Sequence, residues 1–153
     1  MQSTAARHTA RSRASAVQRR QHIIEATLRV MARDGLRAVS HRAVASEAAV
    51  PLASTTYYFR DLEDLIIESF LHWSEGQRRD IEAFRARVLA LLSQTRAAGT
   101  AEALADAASA YVLDQVQRLR DDRVLEYAFL HEAIRAPRLR AALERQQQGH
   151  LDF

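Results

Sequence analysis

Twenty residues, from Ser40 to Phe59, constrain the fold more than any other part of the chain. They read SHRAVASEAAVPLASTTYYF and form two short helical patterns separated by a tight turn at residues 49–51. Ser40 is a good N-cap for the first pattern, and Pro51 pre-sets the backbone at the entry to the second. Helices this short are not stable alone, so tertiary packing must hold them. The arrangement is typical of a helix-turn-helix, whose second helix enters the major groove of DNA.

The rest of the chain is predicted to be helical as well, because residues that break helices are rare. Only 4 Gly and 2 Pro occur among 153 residues, and alanine, a strong helix former, is abundant. Apolar residues at helical spacing predict helices over residues 18–34, 41–48, 52–58, 62–93, 100–119, 123–135 and from 137 onward. Asp61 is predicted to cap the helix from residue 62, and Pro137 to be the first residue of the last helix. We therefore predict an all-α protein, in which a three-helix head with the helix-turn-helix precedes an antiparallel helical body.

Two details of the body are also predicted. Residues 120–122 read as a polar junction between two helices, and Gly76 as a bend or a boundary. The inner side of the helix from residue 100 is predicted to carry Leu104, Ala108, Tyr111, Val112, Gln115 and Val116.

Charge is distributed unevenly along the chain. Residues 1–62 carry ten Arg and four acidic residues, whereas the remainder carries twelve Arg and fifteen acidic residues. This asymmetry indicates that the N-terminal part meets a polyanion. Residues 1–17 have little apolar content and carry Arg7, Arg11 and Arg13, so we predict a flexible basic arm. It is either a disordered tail or an arm that follows phosphates or enters the minor groove.

Several classes of protein are disfavoured. Without Cys there are no disulfides or thiolate metal sites, and no apolar run approaches the roughly 20 residues that span a bilayer. The basic N-terminus lacks the apolar segment of a secretory signal, so we expect a cytoplasmic protein without a membrane partner. A Gly-rich phosphate loop, a Cys nucleophile and a converging carboxylate pair are all missing. We therefore predict no enzyme activity, metal or cofactor.

Residues 18–70 resemble the head of the TetR family of transcriptional repressors. The family pattern runs Ile-Leu-x-Ala-Ala, Gly, Thr, Ile-Ala-x-x-Ala-Gly-Val-Ser, Gly-Thr-Leu-Tyr-x-x-Phe and Lys-Glu-x-Leu. The matching residues here are Ile23, Ile24, Ala26, Gly35, Ser40 in the Thr slot, Val44, Ala45, Ala48, Ala49, Val50, Tyr57, Phe59, Glu63 and Leu65. The body is similar to the family only in being helical.

The head departs from the family pattern at a few positions. Pro51 replaces the usual Ser and removes its hydroxyl, and Leu62 replaces the usual Lys, a contact to the DNA backbone. Thr55 and Thr56 occupy the Leu and first Tyr slots. The resulting Thr-Thr-Tyr-Tyr-Phe form resembles a subset of the family, so we interpret this head as a variant.

Candidate DNA contacts follow from the helix-turn-helix. Arg42 stands two residues after the predicted N-cap, where it reaches a guanine edge or a phosphate, or remains a solvated surface residue. Leu52 and Ala53 suit thymine methyl groups, and the hydroxyls of Thr56 and Tyr57 suit phosphates. The predicted DNA-binding set is Ser40, His41, Arg42, Leu52, Ala53, Ser54, Thr56, Tyr57 and Arg60. Thr55, Tyr58 and Phe59 are assigned to the core.

The family resemblance implies a function. A TetR-like chain binds a palindromic operator as a homodimer, represses transcription, and is released by a small, often apolar, effector in its helical body. Candidates for lining that pocket are Phe70, Trp73, Phe84, Tyr111, Tyr127 and His131, although an aromatic residue at helical spacing is more often ordinary core.

The domain prediction is a basic arm at 1–17, a DNA-binding domain at 18–77 and a regulatory domain at 78–153 that is shortened relative to the family. Because the family's last two helices form its dimer interface, dimerisation of this chain stays open. The alternative is a helical protein-interaction module with a weakened DNA-binding head.

Overall fold

The computed structural model describes residues 2–93 and 100–148, and this part of the chain forms six α-helices and one 3-10 turn. The helices are α1 (Gln2–Asp34), α2 (His41–Glu47), α3 (Leu52–Tyr58), α4 (Leu62–Ser93), α5 (Thr100–Ala133) and α6 (Pro137–Gln148), and the 3-10 turn is Leu36–Ala38. The described residues contain no strand, and the all-α prediction is confirmed. None of these helices is both long and apolar enough to cross a membrane.

The head is built on one face of α1, which packs against α2 and the first half of α4. Fully buried residues from each segment meet there: Ile23, Val30, Met31, Val44, Phe59 and Leu65. Since α2 and α3 have seven residues each, they bury few side chains of their own. The apolar face of α1 therefore supplies the surface that holds α2, and α3 packs in turn against α2.

The helix boundary predicted at residue 18 is wrong. Residues 2–17, which the sequence assigned to a flexible arm, belong to α1 in the structure. This segment contains Ala and Arg but neither Gly nor Pro, so propensity allows the helix to continue where the apolar pattern has ended. The helix ends at Gly35, whose φ of 81° is the left-handed conformation that glycine adopts without strain.

Two helix boundaries considered from the sequence, at Gly76 and at residues 120–122, are also absent. α4 continues past Gly76, and through the predicted domain boundary at residue 77, for 32 residues. α5 continues through the polar residues 120–122 for 34 residues. Polar residues on an exposed helix surface do not break the backbone hydrogen-bond ladder, and one glycine only weakens it.

In the body, α5 packs against α4 and α1, and α6 packs against α4 and α5. Its centre is an aromatic cluster in which the Phe129 ring lies 5.3 Å from Phe70 and 5.7 Å from Trp73. Leu139 of α6 is fully buried beside this cluster. The helix predicted from Pro137 is thus present, and it anchors the end of α5.

The predicted inner face of α5 is partly wrong. Ala108, Val112 and Val116 are exposed, whereas Ala107 is buried. Leu104, Tyr111 and Gln115 are half-buried, as an inner face requires. α5 carries two apolar stripes side by side, and periodicity alone does not determine which of them faces α4.

Candidate nucleic-acid interface

The first motif helix is fixed at both ends by hydrogen bonds. At its start, the backbone N–H of Ala43 donates to the Ser40 hydroxyl at 3.1 Å, so the predicted N-cap is confirmed. At its end, the His22 ring nitrogen Nε2 donates to the carbonyl of Ala48 at 3.0 Å. Val44 and Ala45 are buried between these ends. The turn of the motif is therefore held directly against α1.

Adjacent residues of α3 divide sharply between the core and the surface. Thr55 is fully buried and its hydroxyl donates to the Leu52 carbonyl at 2.8 Å. Tyr57 is 81% exposed and Leu52 is 46% exposed, and Ala53 and Thr56 are exposed beside them. The outer face of α3 is thus a small apolar and hydroxyl-bearing surface that no described part of the chain covers.

The DNA-binding set predicted from sequence lies mostly on the surface. Seven members are exposed, namely Ser40, Arg42, Leu52, Ala53, Thr56, Tyr57 and Arg60, and two are half-buried, namely His41 and Ser54. The Nδ1 atom of His41 is buried and finds no hydrogen-bond partner among the described residues. Of the residues assigned to the core, Thr55 and Phe59 are buried, whereas Tyr58 is half-buried.

Several arginines of the head form ion pairs with acidic residues of the head itself. Arg29 Nε and Arg33 Nη1 each donate to the Glu47 carboxylate at 2.9 Å, which ties α1 to α2. The hydrogen bond from Arg29, followed by that from Arg33, lowers the pKa of Glu47 below its ordinary value. Arg20 lies 3.0 Å from Glu68 and stacks 5.1 Å from the centre of the Phe59 ring. These arginines hold the head together, so the charge count overstated the cations available to phosphates.

The segment that follows α3 is closed by a reciprocal cap that the sequence analysis only half anticipated. Asp61 accepts from the Asp64 backbone N–H at 2.7 Å, as predicted for an N-cap. Asp64 in turn accepts from the Arg60 backbone N–H at 3.2 Å. This second bond resembles a capping box, and the Asp-x-x-Asp spacing is the signal that would have indicated it. Arg60, with a side chain 72% exposed, is thereby held at the end of the motif.

A groove between α4 and α5 contains three of the six predicted effector residues. Cavities of about 260, 240 and 190 Å³ adjoin one another, because Tyr111 lines the first two, Trp73 the last two, and Asp80 the first and third. Phe84 stacks on Tyr111 with ring centres 4.1 Å apart. The Trp73 indole N–H donates to Asp122 at 3.1 Å. These contacts make an aromatic wall with carboxylates along it.

The other three effector candidates do not line the groove. Phe70 is buried in the core behind Trp73. Tyr127 is 70% exposed and His131 is exposed, so both lie on the outer surface of α5. Sequence reasoning missed the acidic lining residues, Asp80, Asp114, Asp122 and Glu126, because no local pattern distinguishes them from a solvated face.

Known proteins share both the head and the fold. Residues 23–68 match the family of bacterial regulatory proteins of the tetR type. Over 54 residues the chain is 43% identical to the HTH-type nicotine-responsive transcriptional repressor HdnoR of Paenarthrobacter nicotinovorans, and this match spans 35% of the chain and 28% of that repressor.

Solved structures extend the likeness beyond the head. A TetR family member from Streptomyces coelicolor A3 is 35% identical with a TM-score of 0.62, and the alignment covers 86% of this chain and 70% of that one. The multidrug binding protein EbrR complexed with malachite green is 32% identical with a TM-score of 0.57, over 85% of this chain and 69% of that one. A helix-turn-helix held against α1, an exposed α3 surface and these likenesses together establish that the chain belongs to the TetR family of bacterial regulatory proteins.

Proposed function

We propose that this chain is a sequence-specific DNA-binding transcriptional repressor whose operator affinity is lowered by a small molecule bound in its helical body. The observation that carries the proposal is the outer face of α3. Leu52 and Tyr57 are exposed there although their neighbours Thr55 and Phe59 are fully buried. An exposed apolar surface on a helix held rigidly by its neighbours suits the major groove, where such side chains contact thymine methyl groups.

In this proposal the head, residues 18–77, reads the operator, and the rest of the described chain regulates it. Arg42 and the α3 residues contact base edges. The hydroxyls of Ser40, Thr56 and Tyr57 donate to phosphates, together with Arg60. The Thr56 hydroxyl now donates to the Ala53 carbonyl at 3.3 Å, a long bond that it can exchange for a phosphate oxygen at small cost.

Operator binding requires two heads. A helix-turn-helix reads a short half-site, and two copies reach half-sites whose centres are about 34–36 Å apart. We therefore propose that the bound species contains two chains on an inverted repeat. Light scattering of the purified complex measures its mass, and one chain per operator duplex would contradict this part of the proposal.

Selection of bound duplexes from random DNA tests the function directly. The selected sequences are expected to converge on an inverted repeat, with an affinity that falls steeply as salt rises. Arg42→Ala is expected to weaken specific binding by roughly 1–3 kcal/mol with the fold unchanged. Arg145→Ala, an exposed Arg on α6, is the matched control and should bind like wild type. Failure to select any sequence, with weak salt-insensitive binding, would instead favour a protein-interaction module.

The groove in the body indicates a more specific effector than the apolar molecule that the family resemblance implies. Aromatic rings of Trp73, Phe84 and Tyr111 line it, and its lining holds four carboxylates but two guanidinium groups, those of Arg87 and Arg123. Aromatic faces and an excess of negative charge favour an aromatic cation. EbrR, a structural relative, is a multidrug binding protein complexed with malachite green, which is such a cation.

Trp73 is the single tryptophan of the chain, so its fluorescence reports binding in the groove. Malachite green is expected to quench its emission and to release the operator, whereas the neutral leuco form of the dye should do neither. Asp122→Asn keeps an acceptor for the Trp73 N–H and removes one charge, so it should weaken dye binding. Glu144→Gln, on the exposed surface of α6, is the control. Equal binding of the cationic and neutral dyes would contradict an acidic aromatic site.

A further inference from the structure

One arginine of the body reaches the start of the helix that follows the recognition helix. Arg138, on α6, donates from Nη1 to Asp61 at 3.0 Å and to Glu63 at 2.9 Å, and from Nη2 to Asp64 at 3.4 Å. The Arg138 side chain is 38% exposed. All three partners lie in or directly before the first turn of α4. This is a forked contact between two elements that are more than seventy residues apart.

The three carboxylates are part of the structure that ends the helix-turn-helix. Asp61 and Asp64 form the reciprocal cap that holds the Arg60 backbone, and Arg60 belongs to the predicted DNA contacts. The backbone hydrogen bond from Asp64 lowers the pKa of Asp61 below its ordinary value, partly opposed by desolvation, and the contacts with Arg138 and Arg60 lower it further. Arg138 therefore contacts the segment that positions Arg60, the last of the predicted DNA-binding residues.

Charge gives this contact a second role. Residues 61–64 read Asp-Leu-Glu-Asp, and Leu62 occupies the slot where the family pattern has a Lys. The first turn of α4 thus presents three acids and no cation of its own to a nearby phosphate backbone. Charges within about 10 Å interact appreciably at moderate salt. Arg60 Nε lies 3.5 Å from Asp61, and Arg138 supplies from α6 a second positive charge that contacts all three acids.

The helix that carries Arg138 is also bound to α5, which forms one wall of the effector groove. Arg140, two residues after Arg138, donates to the carbonyls of Ala133 and Ile134 at 3.0 and 2.8 Å. These carbonyls are at the C-terminal end of α5, the helix that forms one wall of the groove. α6 is therefore fastened to α5 by Arg140 and to α4 by Arg138.

We propose that Arg138 is a positioning residue for operator binding: it holds the acidic first turn of α4, and with it the end of the helix-turn-helix, in the arrangement that binds DNA, and it offsets that turn's negative charge. The proposal rests on the proposed function, since it concerns affinity for the operator. It assigns to the body a residue that sets this affinity without touching the DNA.

Operator affinity of Arg138→Gln is the first measurement. It is expected to fall roughly three- to tenfold, the range in which coupling residues act, and the loss should shrink at high salt, where repulsion between the acids and phosphates is screened. Arg138→Lys restores the charge but not the fork, so its affinity should lie between the two. Arg145→Gln, on the same helix, should match wild type. Equal affinity of Arg138→Gln and wild type overturns the proposal.

A second substitution separates this role from simple support of the fold. Adding Glu63→Gln to Arg138→Gln removes one uncompensated acid, so operator affinity should recover in part. Glu63 is not a member of the cap, so the change leaves Asp61 and Asp64 in place. A purely structural Arg138 predicts no recovery, because the double variant still lacks the contact, and that result overturns the electrostatic role.

Hydrogen exchange tests the positioning role without DNA. Arg138→Gln should speed exchange of the backbone amides at residues 60–65, while amides in the middle of α1 stay protected. Unchanged exchange at 60–65 overturns the positioning role whether or not the protein binds an operator. Failure of wild type to bind any selected duplex, with exchange altered as expected, contradicts the proposed function alone.

Discussion

At the scale of single residues, the head depends on positions where one side chain is buried and its neighbour in sequence is exposed. Thr55 and Thr56 are chemically identical and adjacent, yet Thr55 is fully buried and Thr56 is exposed. Successive residues of a helix are separated by 100° around its axis, so one faces the interior of the head and the other faces solvent. The sequence analysis assigned Thr55 to the core and Thr56 to the DNA-facing surface, and the observed burial agrees with this division.

Ala49 has a left-handed backbone conformation, which is strained for a residue that carries a Cβ. It lies in the turn of the motif with φ of 51°, where the family pattern has glycine. A side chain with a Cβ pays roughly 1–2 kcal/mol for the left-handed region, whereas glycine adopts it freely. Ala49 is exposed, so its methyl group contributes little packing in compensation.

Ala49→Gly is therefore expected to stabilise the protein by roughly 0.5–1 kcal/mol, the strain relieved less the greater entropy of glycine in the unfolded chain. Urea unfolding followed by circular dichroism measures the change. Ala86→Gly, at an exposed position inside α4, should instead lose about 1 kcal/mol. A loss of stability in both variants would mean that the turn does not strain Ala49.

At the scale of helices, the ion pairs between α1 and α2 converge on one carboxylate. Glu47 accepts hydrogen bonds from both Arg29 and Arg33. The positions of these three residues in the sequence do not reveal the contact. Charged hydrogen bonds that converge on one acceptor fix the angle between two helices better than an exposed single pair. Protonation of Glu47 weakens both bonds at once.

The lowered pKa of Glu47 gives this contact a definite pH dependence. Its folded-state pKa lies below the ordinary value of 4.5, so its stabilising effect is fully present above about pH 4.5 and is lost as the pH falls through the folded-state pKa. Glu47→Gln is expected to lower the melting temperature at pH 7 and to have a progressively smaller effect as the pH falls through the folded-state pKa of Glu47. Glu25→Gln is the control, because Glu25 accepts from the neutral Gln21. A pH-independent effect of Glu47→Gln would contradict this account.

At the scale of the whole molecule, α4 joins the head to the body as one continuous helix. Its first turns carry Leu65 and Ile66 of the head core, and Phe70 and Trp73 continue into the aromatic cluster of the body. In the proposed function, α4 is the element that carries a displacement at the groove between α4 and α5 to the end of the helix-turn-helix. α6, which Arg138 and Arg140 join to α4 and α5, is the second connection between the body and the head.

Much of the candidate site could be predicted from the sequence, because it is encoded locally. Ser40, Asp61 and Pro137 were identified as helix starts, since capping and turn residues act on their nearest neighbours. The exposed positions of α3 followed from the period of the helix. The effector groove was predicted less well: Tyr127 and His131 lie outside it, because two apolar stripes on α5 compete and the sequence does not rank them.

The sequence by itself determined the helical class, the position of the helix-turn-helix and the family. Each of these depends on propensity, capping and spacing within about four residues. Only the tertiary structure decided which arginines are occupied by Glu47 and Glu68, which face of α5 lines the groove, and that Arg138 meets the acids before and within α4. These facts depend on side chains that packing brings together. The order of charges along the sequence does not show which oppositely charged residues become neighbours in the folded chain.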